Sequence, residues 1–175
     1  MRRKFLLYSL LLCGLTSFAQ VETKEHFVHE VLQQTSYSYS RKIWLQDTAQ
    51  GWGHFDFIDS TGILGSDVKQ AIPDTAMDQI IANCSKSYSE KWGSIGDIKV
   101  VYIGSDKVLR QKRGTSMYKH ESVFISNVVF DNGHTFAMVR IGRTCGKYCG
   151  DSCVYLFKKT DNKWRLISKT GCIIV

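Results

Sequence analysis

Residues 122–175 read as apolar runs set apart by turn chemistry: SVFISNVVF, DNGH, TFAMVRIG, a cysteine-rich link, CVYLFKK, TDNK and WRLISKTGCIIV. No other feature restricts the fold as strongly. Short runs rich in Val, Ile, Phe and Tyr, bounded by Asp, Asn and Gly, suit extended chain far better than helix. Asp131-Asn132-Gly133 is hairpin chemistry, because Asn and Gly take positive φ at little cost. Asp161-Asn162-Lys163 is a second, weaker turn signal. Within residues 135–141, Ala137, Val139 and Ile141 share one face, and Phe136, Met138 and Arg140 share the other. The pattern predicts a four-stranded antiparallel meander in the C-terminal half. A strand in DIKVVYIG, closed by Gly104, precedes it. The apolar end, GCIIV, fits either a buried final strand or an edge that pairs with another copy.

Two helices are expected upstream. In ETKEHFVHEVLQQ, Phe27, Val28, Val31 and Leu32 form an apolar stripe, while Glu25, His26, His29, Glu30 and Gln33 face away. In PDTAMDQIIANCSK, Pro73 and Asp74 suit a first turn, and Met77, Ile80, Ile81 and Cys84 fall on one face. The expected class is therefore α+β, with two N-terminal helices packed on the C-terminal four-stranded antiparallel meander.

The first residues, MRRKFLLYSLLLCGLTSFAQ, have the layout of a secretory signal peptide: a basic start, an apolar run, then small and polar residues. Ser17-Phe18-Ala19 suits cleavage after Ala19 or Gln20. The bulky Leu12 before Cys13 argues against lipoprotein processing. The apolar run is too short to span a bilayer, and no later segment is apolar enough. The expected organisation is a signal peptide over 1–20 and one α+β domain over 21–175, exported to the periplasm or beyond the cell. One proline and no Ser/Gly-rich linker speak against an internal boundary.

The leader holds Arg2, Arg3 and Lys4 and no acid, so the net charge of +7 falls to +4 once it is removed. That mild excess is no nucleic-acid signature. The densest basic stretch, KVLRQKRGTSMYKH, reads as a solvated loop.

The cysteines carry the most chemistry. Cys145, Cys149 and Cys153 stand at a four-residue step, interleaved with Gly142, Gly146 and Gly150. Glycines at that density make a helix costly, by about 1 kcal/mol each against alanine. The segment is expected instead as a hairpin loop over residues 142–152. The spacing matches neither iron–sulfur ligation nor the C-x2-C pairs of zinc sites, and thioredoxin chemistry wants C-x-x-C. Disulfides suit an exported chain. Without the leader five cysteines remain, so at least one has no intrachain partner. Cys145 with Cys153, Cys145 with Cys149, and Cys172 with a loop cysteine are all open pairings. Cys84, on an apolar helix face, is the natural leftover as a buried, inert thiol.

Other constellations are weak. His26, His29 and Glu30 match no zinc-protease spacing. His54 and Asp56 alternate along a strand-like stretch without a partner nucleophile in view. His120 and His134 would have to converge on a loop thiol to make a catalytic pair.

The segment FISNVVFDNGHTFAMVRI…CGKYCGDSCVYLFKKTDNKWRLI resembles the C-terminal half of a group of small uncharacterised exported bacterial proteins. The residues that carry the likeness are Phe130 to Gly133, Cys145-Gly146, Cys149-Gly150, Tyr155-Leu156 with Lys158, and Lys163-Trp164. The chain departs from that pattern at Ser152, where the group has glycine, and in the additional Cys153. The resemblance implies export and a β-meander; it implies no activity.

Two function classes follow. One is a non-catalytic exported domain that binds a protein or cell-envelope component through a disulfide-stiffened loop, with Arg143, Lys147 and Tyr148 as anchors. The other is a thiol- or metal-dependent enzyme built on Cys145, Cys149 and Cys153. No recognisable catalytic motif, cofactor motif or nucleic-acid signature supports the second, so the first is expected.

Overall fold

The computed structural model describes residues 23–35, 43–52, 70–95, 100–104, 122–146 and 149–174, with the backbone alone for Ile43, Cys145, Gly146 and Cys149. Helix α1 spans Lys24–Leu32 and opens on Thr23, whose hydroxyl accepts the His26 amide at 3.2 Å. That cap satisfies one of the donors a first turn leaves unpaired. Phe27, Val28, Val31 and Leu32 are all buried, as their spacing predicts. Helix α2 spans Asp74–Cys84 behind an N-cap Pro73, where a missing N–H costs the helix nothing. Its buried stripe is Ala76, Ile80 and Cys84, whereas Ile81 is 39 % exposed.

Nine strands are described: β1 (Ile43–Gln46), β2 (Thr48–Ala49), β3 (Glu90–Lys91), β4 (Val100–Ile103), β5 (Ser122–Ile125), β6 (Val129–Phe130), β7 (Phe136–Gly146), β8 (Cys149–Thr160) and β9 (Lys163–Ile174). Seven form one sheet in the order β4-β1-β5-β7-β8-β9, with β6 also paired to β7, while β2 and β3 make a separate small ribbon. Strand β1 runs parallel to both its neighbours, β4 and β5. From β5 to β9 the neighbours are antiparallel.

This architecture overturns the expected two N-terminal helices on a four-stranded antiparallel meander. The sheet is mixed and seven-stranded, and it recruits β1 from the first third of the chain. The second helix lies mid-sequence, between β2 and β3, and the helices do not share a face. Helix α1 packs with Leu45, Val123, Ile125, Ala137, Val139, Ile141, Tyr155 and Phe157. Helix α2 packs on the other side, with Val129, Phe136, Met138, Val154 and Leu156. Strand β8 therefore buries successive residues Cys153, Val154, Tyr155, Leu156 and Phe157. A continuous apolar run, rather than an alternating one, is what a strand covered on both faces requires.

The two turns differ from each other. Asp161 (φ 53°) and Asn162 (φ 58°) both take positive φ, the two-residue type I′ geometry that matches strand twist. In the other turn only His134 does so (φ 50°), rather than the Asn132 and Gly133 expected from sequence. There the Asp131 carboxylate closes the loop by accepting the Thr135 and Phe136 amides, each at 2.7 Å.

Candidate functional site

Strands β8 and β9 form the last hairpin of the sheet, and β9 is an edge. Near its end the register shifts: Ser152 faces Ile173 and Val154 faces Thr170, so Gly171 and Cys172 together oppose Cys153. Gly171 has φ 56°, a conformation that a residue with a Cβ adopts reluctantly. The bulge places Cys172 against Cys153, and the two are joined by a disulfide with Cα atoms 4.1 Å apart and a sequence separation of 19. Cys153 is 2 % exposed and belongs to the α1-side core; Cys172 lies at the exposed edge. Among the described residues, the pairing of Cys172 with a cysteine of that segment is formed. Cys153 lies opposite Ile141, far along the ladder from Cys145, so a Cys145–Cys153 pair does not form.

The expected loop over residues 142–152 is mostly strand. Strand β7 runs to Gly146 and β8 starts at Cys149, leaving a two-residue tip. Thr144 pairs with Gly150 and Gly146 with Cys149, so Cys145 is the extra residue of a bulge. Gly150 permits this close approach, because a Cβ there would lie 2.7 Å from the Arg143 carbonyl oxygen. Arg143 Nε meets Asp151 Oδ1 at 2.7 Å across the hairpin. The guanidinium is thus held in a half-exposed ion pair at the base of the tip. Lys147 and Tyr148 lie outside the described residues, as do the side chains of Cys145 and Cys149.

Helix α1 and the turn that follows it reach the same edge strand farther back. Glu30 Oε1 accepts the Trp164 amide at 2.8 Å, and Gln34 both accepts the Leu166 amide at 3.1 Å and donates to the Trp164 carbonyl at 2.5 Å. These are backbone groups on the open side of an edge strand, the groups that otherwise invite another chain. Beneath them Trp164 stands edge-on to Phe27 at 5.0 Å. From Cys149 to Ile174 the hairpin carries Lys158, Lys159, Lys163, Arg165 and Lys169 against Asp151 and Asp161. Three of these lysines lie over rings: Lys158 over Phe136, Lys159 over Trp164 and Lys169 over Tyr155. Their stems cover apolar surface while the ammonium groups stay at the surface. Past the helix contact, Ile173 is 57 % and Ile174 is 84 % exposed.

The remaining sequence candidates separate widely. His26 is exposed on α1, and His134 stacks on Phe130 at 4.9 Å. Cys84 is a buried thiol in the α2-side core. His54, Asp56 and His120 lie outside the described residues. Among the described residues no group of three or more His, Cys, Asp or Glu side chains is placed to hold a metal ion, and no helix is long and apolar enough to cross a membrane. The clearest perturbed ionisation is remote from the hairpin. Burial pushes the Tyr102 phenol above its ordinary 10.0, Glu25 adds to the rise, and a hydrogen bond with the Ile95 backbone works against it.

Comparison with protein-family models, curated proteins and solved structures finds no match for this chain.

Proposed function

We propose that the chain is an exported, non-catalytic domain that binds a protein or cell-envelope component through the β7–β8 tip, with Arg143, Lys147 and Tyr148 as its anchors. The observation that carries this reading is the Cys153–Cys172 disulfide. It braces the strand that supports the tip against the edge of the sheet, and such bonds are usual in oxidising compartments and rare in the cytosol. The leader-like first 20 residues and the resemblance to small exported bacterial proteins point the same way. Arg143, held by Asp151, is pre-organised for contact, which lowers the ordering cost of binding. The thiol- or metal-enzyme alternative loses one of its three cysteines to the disulfide.

Cys145 and Cys149 are then expected to join each other across the bulge, leaving Cys84 as the lone thiol. The test expresses the full chain with its leader, alkylates thiols in denaturant without reductant, and measures intact mass. Loss of the leader with one alkyl group supports the reading. Retention of the leader, or three or more alkyl groups, sinks it. The tip is then tested with Arg143→Ala/Tyr148→Ala, which should abolish capture of whichever envelope protein the wild type retains.

A further inference from the structure

The chain holds four asparagines, Asn83, Asn127, Asn132 and Asn162, and only Asn132 is followed by glycine. The backbone nitrogen after an asparagine is a nucleophile within reach of the asparagine Cγ, and attack there closes a cyclic imide. The reaction is intramolecular, so its rate depends on how freely the two groups meet. A side chain on the following residue hinders that approach, and glycine has none.

The turn between β6 and β7 leaves both reacting groups without a restraint. Asn132 and Gly133 are its exposed central residues, and the His134 amide closes it on the Asp131 carbonyl at 3.0 Å. Among the described residues nothing bonds the Asn132 carboxamide or the Gly133 amide. Asn132 is held by its backbone N–H, which donates to Gln79 Oε1 of α2 at 3.0 Å, and Gly133 by its carbonyl, which accepts from Thr135 Oγ1 at 3.5 Å. The other three asparagines are each restrained. Asn83 lies in α2 and donates to the Phe130 carbonyl at 3.0 Å. Asn127 is 6 % exposed, donates to the Tyr88 carbonyl and precedes the β-branched Val128. Asn162 is exposed, but Lys163 after it carries a side chain and is already paired with Thr160 in the ladder.

We propose that Asn132 is a self-modifying site: its carboxamide cyclises onto the Gly133 nitrogen and is hydrolysed to a carboxylate, and the product opens the turn. In the first step the Gly133 N–Asn132 Cγ bond forms, the Cγ–Nδ2 bond breaks, and Nδ2 leaves as ammonia with the proton from Gly133. In the second, water adds across one of the two imide C–N bonds. The outcome is aspartate, or isoaspartate with the main chain routed through the side chain. Water is the sole co-reactant, and nothing is oxidised or reduced. Isoaspartate lengthens the main chain inside the span that the His134 amide closes. Either product sets a carboxylate beside Asp131, whose own carboxylate accepts the Thr135 and Phe136 amides, and the like charges repel. The modification neither needs nor touches the β7–β8 tip, so it stands apart from the binding reading.

The test incubates the folded full chain at mildly alkaline pH in water enriched in heavy oxygen, digests it in ordinary water and maps the peptides by mass spectrometry. Solvent oxygen enters only where an imide is hydrolysed during the incubation. Label should accumulate at residue 132 at least about tenfold faster than at Asn83, Asn127 or Asn162. Gly133→Ala should slow it by about tenfold or more. That variant keeps the fold, since Gly133 has no positive φ and a Cβ there would lie 3.3 Å from Asp131 Oδ2, whereas Oδ1 accepts the turn's amides. Asn132→Gln, at an exposed position, should abolish the label, because the longer side chain closes its ring far more slowly. In the isoaspartate fraction, separated by ion exchange, the Thr135 and Phe136 amides should exchange faster than in the parent chain. Equal labelling of residues 132 and 162 overturns the proposal, as does labelling that Gly133→Ala leaves unchanged. Label that appears in the urea-unfolded chain and never in the folded one also overturns it, since the turn then protects Asn132. So does a modified fraction whose Thr135 and Phe136 amides keep the parent's rates.

Discussion

Residues 163–166 and 168–174 belong to one edge strand, yet they are secured in different ways. In the first stretch side-chain packing and the helix end supply the cover. Trp164 is buried in an aromatic group with Phe27, Phe130 and Phe157, and the outward backbone is met by Glu30 and Gln34. In the second stretch a single covalent bond, Cys153–Cys172, replaces that packing. Packing secures the first stretch by hiding its surface. A disulfide restrains the chain without hiding it, and Ile173 and Ile174 stay exposed beyond it.

The strongest way to break the packed half is Trp164→Ala. The ring is 1 % exposed and touches both Phe27 and Phe130, so its removal should cost about 3–5 kcal/mol in chemical denaturation. A loss below about 1 kcal/mol would mean that α1 is not what secures the edge. The disulfide-held half responds to a different change. Cys153→Ala/Cys172→Ala should cost about 2–4 kcal/mol. Amide exchange should quicken in residues 168–174 and stay slow around Trp164. Equal acceleration along all of β9 would contradict the division of the strand.

Part of this was legible beforehand. The α1 stripe follows from helical spacing, and strands near residues 136–160 follow from β-rich runs between turn residues. The sheet's composition was not legible, because β1 offers only four residues and its parallel partners lie far away in sequence. The run Cys153 to Phe157 did hold the missing clue, since apolar residues at every position signal two covered faces. Gly171 likewise marks a bulge in retrospect, but only the register shows that it turns Cys172 toward Cys153. Glu30 and Gln34 were unreadable as edge covers. On a helical wheel Glu30 looks like any solvated polar residue, and Gln34 lies in the turn beyond the helix, where no periodicity marks it.

Those two side chains give a smaller test. Glu30→Ala/Gln34→Ala should destabilise by about 1–2 kcal/mol, because it strands the Trp164 and Leu166 amides at an edge where water can partly replace the lost partners. Its more telling effect is on local opening: amide exchange at Trp164 and Leu166 should quicken while residues 168–174 keep their wild-type rates. Unchanged exchange at Trp164 and Leu166 would mean that these two side chains do not limit the opening of the edge.

The smallest stability effect belongs to Ile174→Asp. At 84 % exposure its side chain contributes little to burial, so the unfolding free energy should move by no more than about 0.5 kcal/mol. Residue 174 pairs with Asp151 across the ladder, so the same substitution sets one carboxylate opposite another. Ile174→Asn separates that repulsion from the lost apolar contact and should move stability less than Ile174→Asp. If Asn and Asp behave alike, charge at this pair has no part in holding the end of the strand.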